Sequence, residues 1–215
     1  MGGRHWDRWL PASGIVYAAL FLVATILTSD SPDTAASDQR ILSYYADSGH
    51  RTREFVAIAL VAVGVLFFLW FVGVLRDRLR AAEPEPGGLS ALALAAGVSS
   101  ATLLMGALAF AIAIPASIAD TDRFTLDADM YRLFNNASYG LLVGSTMVAS
   151  ILVAATSVLA LRTATLPRWL GWIGLVVALV LVFAVFFFPL FALWAWVVVV
   201  SVVLIARPRE HTSQA

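Results

Sequence analysis

The chain has 215 residues, 60% of them hydrophobic and only 13% charged, with fourteen arginines balancing fourteen acids and neither lysine nor cysteine. Soluble domains carry about 25% charge, so this composition excludes an ordinary water-soluble domain. The missing cysteine excludes disulfides, thiolate metal sites and cysteine nucleophiles. The charges cluster and leave long uncharged runs, as in a polytopic membrane protein whose spans need about 20 apolar residues each.

The first uncharged run, 9–29, follows Arg4 and Arg8 and so resembles a signal peptide. Its apolar stretch, 12–28, exceeds the roughly 7–15 residues of such peptides, and no A-x-A site follows, so it is read as a retained first span. Gly14 and Ala18 give it a small-residue face for helix packing. In the outer loop 29–54, Ser37 or Asp38 caps an expected short helix with Ile41, Leu42, Tyr44 and Tyr45 on one side and Gly49 at its end. That helix is expected on the membrane surface with its aromatics down.

The second span, 55–75, runs between Glu54 and the basic group Arg76, Arg78 and Arg80. The prolines and glycines of "RLRAAEPEPGGLS" then forbid continuous helix. The third span, 89–115, carries Ser99, Ser100 and Thr102, and leads to an outer loop over 116–135. There Leu126, Met130, Leu133 and Phe134 recur at helical spacing, so the next helix begins before its span, 136–161. That span holds Gly140 and Gly144 as a GxxxG, expected at a close contact, and adds Ser145, Thr146, Ser150, Thr156 and Ser157. The serines and threonines read as helix-contact residues before they read as a solute track.

The last uncharged run, 169–206, is nearly twice as long as a hydrocarbon core of about 30 Å requires. It is expected to fold back at Pro189 into spans 169–187 and 190–206, because proline lacks a backbone donor and breaks the helix before it. The sequence therefore reads as an all-α, six-span protein forming one membrane domain, with a tight terminal hairpin. Nine arginines fall on one side and five on the other, which places both termini in the cytoplasm and the protein in the inner membrane. Trp6, Trp9, Trp70, Trp169 and Trp172 then form an inner aromatic belt, and Tyr44, Tyr45, Tyr131 and Tyr139 an outer one. The shared pattern of 8–18 and 168–178 follows from this interface grammar without requiring a duplicated unit.

Chemistry is hard to place. His5, His50 and His211 all lie outside the spans, and no deep ionisable residue offers a base or a proton relay. The polar candidates at the outer mouth are Glu54, Asp129, Arg132 and Asn136, where solvation favours a plain surface role. Asp120, Asp122, Asp127 and Asp129 match no cation-binding loop, and no phosphate, dinucleotide or nucleic-acid motif is present. No catalytic residue, metal or cofactor is expected.

"ILSYYADSGHRTREFVAIALVAVGVLFFLWFVGVLRDRLR" (41–80) and "VLALRTATLPRWLGWIGLVVALVL" (158–181) resemble a family of actinobacterial integral membrane proteins. That family carries a domain of unknown function with YYAD and LPRWLGW segments. The resemblance implies six spans and transfers no catalytic residue. The expected role is non-enzymatic: an accessory, interaction or lipid-binding protein, with lipids, another membrane protein or a second copy as partners. The alternative is a facilitative transporter of a small neutral or lipophilic solute.

Overall fold

A computed structural model describes residues 9–207 apart from 86, 122, 164 and 187. The expectations attached to Arg4, His5, Trp6, Arg8, Asp122, Arg209 and His211 therefore lie outside the described residues. Within them the chain is helical, with no strand. The helices are α1 (Ser13–Leu27), α2 (Asp38–Ala46), α3 (Ser48–Ala82), α4 (Leu89–Asp120), α5 (Ala128–Thr163), α6 (Arg168–Leu181) and α7 (Pro189–Ala206). Five of these, counting the turn Leu10–Ala12 with α1, are long and apolar enough to cross a membrane, the pattern of a multi-pass membrane protein.

The sixth apolar helix, α6, has 14 residues and stops at Leu181, short of the expected 187. No proline or glycine marks that stop. The helix instead gives way to i→i+3 bonding, with Val182 N–H donating to Leu179 and Phe183 N–H to Val180. Pro189 then opens α7, where its missing N–H would have had no partner in any case. The seat of an added Cβ on Gly174 of α6 lies 3.1 Å from Trp196 of α7, two positions almost equally far from the turn. The pair is an antiparallel hairpin.

α1, α3, α4, α5, α6 and α7 form a closed ring in which each helix packs on the next and α7 returns to α1. Neighbours run antiparallel. Tyr17 lies beside Phe68 with ring centroids 4.9 Å apart, while Ser31, beyond α1, meets Glu54 near the start of α3. Ser100 bonds Ser145, and Ser138 bonds the Ala107 carbonyl. At one end of the ring Tyr131 reaches Pro32 and Tyr139 reaches Val185, so the 28–47 and 182–188 connections share that end. At the other end Arg78 donates to the carbonyl of Arg207 at 3.1 Å. These are the sides that arginine counting designates outer and inner, and the two words are used below in that sense.

Close helix contacts fall at other glycines than the GxxxG pair. A Cβ on Gly14 would meet Phe71 and Val197 at 2.8 Å, and one on Gly97 would meet Val72 at 2.6 Å. Gly140, by contrast, has open space beside it, and the nearest atom to a Cβ on Gly144 belongs to Leu103 at 3.9 Å. The expected close contact at Gly140 and Gly144 is thus corrected. α5 turns its Ser145, Ala149 and Leu152 face to the ring and leaves Gly140 exposed. From Phe68 downward the inner half is solid: Phe68, Phe71, Leu75, Leu79, Leu152 and Leu159 are almost inaccessible.

The linker between α3 and α4 contains a remote cap. The Glu83 carboxylate accepts from the N–H groups of Gly88 (2.8 Å), Leu89 (2.6 Å) and Ser90 (3.2 Å). Those are the orphan donors of the α4 N-terminus, and a negative group there also suits the helix dipole.

Candidate functional site

The outer end of the ring is roofed by the chain itself. After α1 the backbone crosses the ring mouth and enters α2, whose N-cap Ser37 accepts from the Arg40 N–H at 3.3 Å. α2 ends at Ala46, where Asp47 caps α3, so Gly49 lies inside α3 and does not close the short helix. Ile41, Tyr44 and Tyr45 are buried against α3 and α5, not against lipid. The surface-helix expectation is corrected for that reason: the ring leaves an opening at this end, and the aromatic face of α2 fills it.

Arg132 fastens the roof. Its guanidinium donates to the carbonyls of Thr34 (3.1 Å) and Ala36 (3.0 Å), and to Asp38 (2.6 Å) and Asp129 (2.8 Å). The planar fork of arginine makes this divergent bonding geometrically easy. Tyr131 donates to the Pro32 carbonyl one residue away. On the far side Arg53 pairs with Asp30 at 3.3 Å, and His50 stacks on Tyr44 with centroids 4.3 Å apart.

Beneath the roof is a partly open cavity of about 320 Å³, lined from α1, α3, α4, α5 and α7 and from the roof. Its walls are mainly apolar, including Phe21, Phe110 and Phe134. Ser31, Tyr45, Glu54 and Tyr131 gather at the roof end.

Glu54 is only 7% exposed. α3 spans about 52 Å at 1.5 Å per residue, more than the roughly 30 Å of hydrocarbon. Its first turns therefore overhang, and Glu54 sits at the boundary just before the uncharged 55–75 segment. The expected solvated surface role is corrected, because the returning loop covers this position with protein. Tyr45 (3.0 Å) and Ser31 (3.4 Å) both donate to Glu54 Oε1. Among the described residues no arginine or histidine forms a salt bridge with it. Burial pushes the carboxyl up to about 7, against the hydrogen bonds from Tyr45, Ser31 and Tyr44, which lower it. Burial, reinforced by the Glu54 carboxylate, also raises the Tyr45 and Tyr131 phenols, which stay protonated as donors.

Of the sequence candidates, then, Glu54 lines the cavity and Arg132 holds its roof. Asp129 is 86% exposed at the side chain and serves Arg132 alone, while Asn136 faces outward. The cavity takes Asn135 in its place. Sequence reasoning missed Ser31, Tyr45 and Tyr131, which read as loop and belt residues.

The Ser/Thr positions of α4 and α5 do not form a track. Ser145 Oγ bonds Ser100 Oγ at 3.0 Å and the Ser100 carbonyl at 2.8 Å, and both side chains are buried. Thr146 and Ser157 donate to carbonyls one turn earlier. No group of three or more histidine, aspartate or glutamate side chains gathers for a metal among the described residues. Comparison of the chain with protein-family models, curated proteins and solved structures gives no match.

Proposed function

We propose that this is a six-span, non-enzymatic protein of the bacterial inner membrane, with both termini cytoplasmic, that binds a lipophilic molecule in the roofed cavity. The observation behind this reading is the cavity itself. About 320 Å³ falls within the range of roughly 300–1,000 Å³ in which ligand pockets lie, and the mix of apolar walls with a few convergent polar groups is typical of them. Binding is favoured over facilitated transport because the cavity ends above Phe68 in closely packed side chains, and transport would require that half to open. The six-span topology is supported by α6 and α7 forming an antiparallel hairpin whose turn shares the outer end.

Two experiments test the reading. In native mass spectrometry after mild extraction, wild-type protein should retain a small-molecule or lipid adduct. Ala111→Trp, which fills the cavity from α4, should lose it; equal retention by both proteins counts against the cavity. Cysteines placed singly at Phe188 and Arg207 should label from opposite faces of intact cells. Labelling from one face would remove the sixth span.

A further inference from the structure

The hydrogen-bonding polarity of the cavity is one-sided. Thr25 donates its hydroxyl hydrogen to the Phe21 carbonyl (3.0 Å), Thr28 to Ala24 (3.0 Å) and Ser138 to Ala107 (2.9 Å). Tyr131 donates to Pro32 and Tyr45 to Glu54. Each of these five lining hydroxyls has a single hydrogen, already committed to the protein, and retains lone pairs. Pro115 adds to the imbalance. It is buried inside α4 and carries no N–H, so the carbonyl of Ala111, another lining residue, loses its helical donor. No arginine lines the space, and the one ionisable acid, Glu54, sits buried without a salt bridge among the described residues. Phe21, Phe110 and Phe134 stand among the aliphatic side chains of the rest, and aromatic rings attract cations.

Apart from the exposed amide of Asn135, such a surface is rich in acceptors and poor in donors. A phosphate or carboxylate would find nothing to neutralise it and would face the Glu54 carboxylate. A neutral apolar molecule would leave that acid uncompensated. A protonated amine supplies both the missing charge and the missing donors. We propose that the cavity selects an organic cation, an ammonium group on an apolar body, with the ammonium against Glu54 at the roof end and the body among the phenylalanines. This rests on the reading of the cavity as a ligand site, and it names the chemical class that the site takes. The ammonium can belong to a free hydrophobic amine or to the headgroup of a membrane lipid.

Phenethylamine and 2-phenylethanol separate the two levels of the claim, because they share a body and differ in the cationic group. Binding to purified protein in detergent at pH 8 should be at least about tenfold tighter for the amine, the ratio that 1.4 kcal/mol represents. In Glu54→Gln the preference should vanish while 2-phenylethanol binds as before, which also shows that the variant is folded. Equal wild-type affinities for the two compounds overturn the cation inference and leave the cavity reading intact. An amine preference that persists in Glu54→Gln overturns the placement of the ammonium against Glu54. Binding of neither compound overturns both. The source is read separately, in nanodiscs holding phosphatidylethanolamine, phosphatidylcholine and phosphatidylglycerol. Native mass spectra showing Glu54-dependent retention of an ammonium-bearing lipid assign the headgroup. Failure to retain any lipid, with phenethylamine still preferred, assigns a free amine. Selective retention of phosphatidylglycerol, which has no ammonium, contradicts the inference.

Discussion

Along α3, Phe68, Phe71, Leu75 and Leu79 are buried in continuous packing, whereas a few turns above them Ala57, Ile58 and Val61 border open space. Both stretches are apolar and both face the ring interior. The difference lies in what closes each end. The inner half is filled by large side chains set against close glycine contacts, at Gly14 and Gly97. In the outer half α1, α3 and α4 contribute small residues, Ala24, Ala57, Ala107 and Ala111, and the gap is covered from above by a loop and a short helix. An apolar interior is therefore not by itself a packed one. A small side chain leaves a void unless a facing large one fills it.

That contrast can be broken most forcibly from the inner side. Gly97→Leu places a branched side chain where even a Cβ meets Val72 at 2.6 Å, and overpacking of this kind costs about 1–3 kcal/mol or more. Thermal unfolding in detergent should show a large loss of stability. Gly140→Leu, with nothing within 4 Å of its Cβ, should show almost none, and comparable losses for the two would contradict the packing described.

Next in size is the pH dependence of the outer half. Glu54 interacts with Tyr44 and Tyr45 of α2, Tyr131 of α5 and His50 of α3, while Asp30 and Arg53 act on Tyr44 and Asp33 on Tyr131. Its folded-state value, about 7, lies above the usual 4.5. Raised acids favour the folded state while both states are protonated, so this contribution is full below pH 4.5 and is lost as pH rises through about 7. The midpoint of unfolding should fall by several degrees across that window, and Glu54→Gln should flatten the fall. In the same window phenethylamine affinity should rise with pH as the carboxylate forms. An unchanged pH profile in Glu54→Gln would place the titrating group elsewhere.

A smaller effect belongs to the α4–α5 seam. Removing the interhelical hydroxyl bonds with Ser100→Ala and Ser145→Ala together should lower stability by roughly 1 kcal/mol, given that such bonds average about 0.6 kcal/mol in membrane helices. Ligand binding should be untouched, because that pair lies outside the cavity. A loss of binding in the double variant would mean that the seam and the cavity are one site.

Much of the ring was legible in the sequence, because charge-free length and Pro189 act over whole segments. The site was less legible. Glu54 sits one residue before an uncharged run, and a boundary acid reads as solvated unless the chain is known to fold back over it. That return depends on Arg132 and Tyr131 bonding carbonyls nearly a hundred residues away, which no local pattern encodes. Gly140 and Gly144 misled for the opposite reason. Their spacing is a local motif, but which face of α5 meets the ring is decided by Ser145, Ala149 and Leu152.

Because the chain has no cysteine, single thiols can compare the two halves directly. Ala57→Cys at the cavity and Val72→Cys in the inner packing replace side chains that are 4% and 1% exposed, so both thiols start out buried. The rate of modification by a small cationic methanethiosulfonate then reports whether buried space is open space. Modification should be fast at position 57, slowed by phenethylamine, and very slow at position 72. Equal rates at the two positions, or no protection at 57, would contradict this picture.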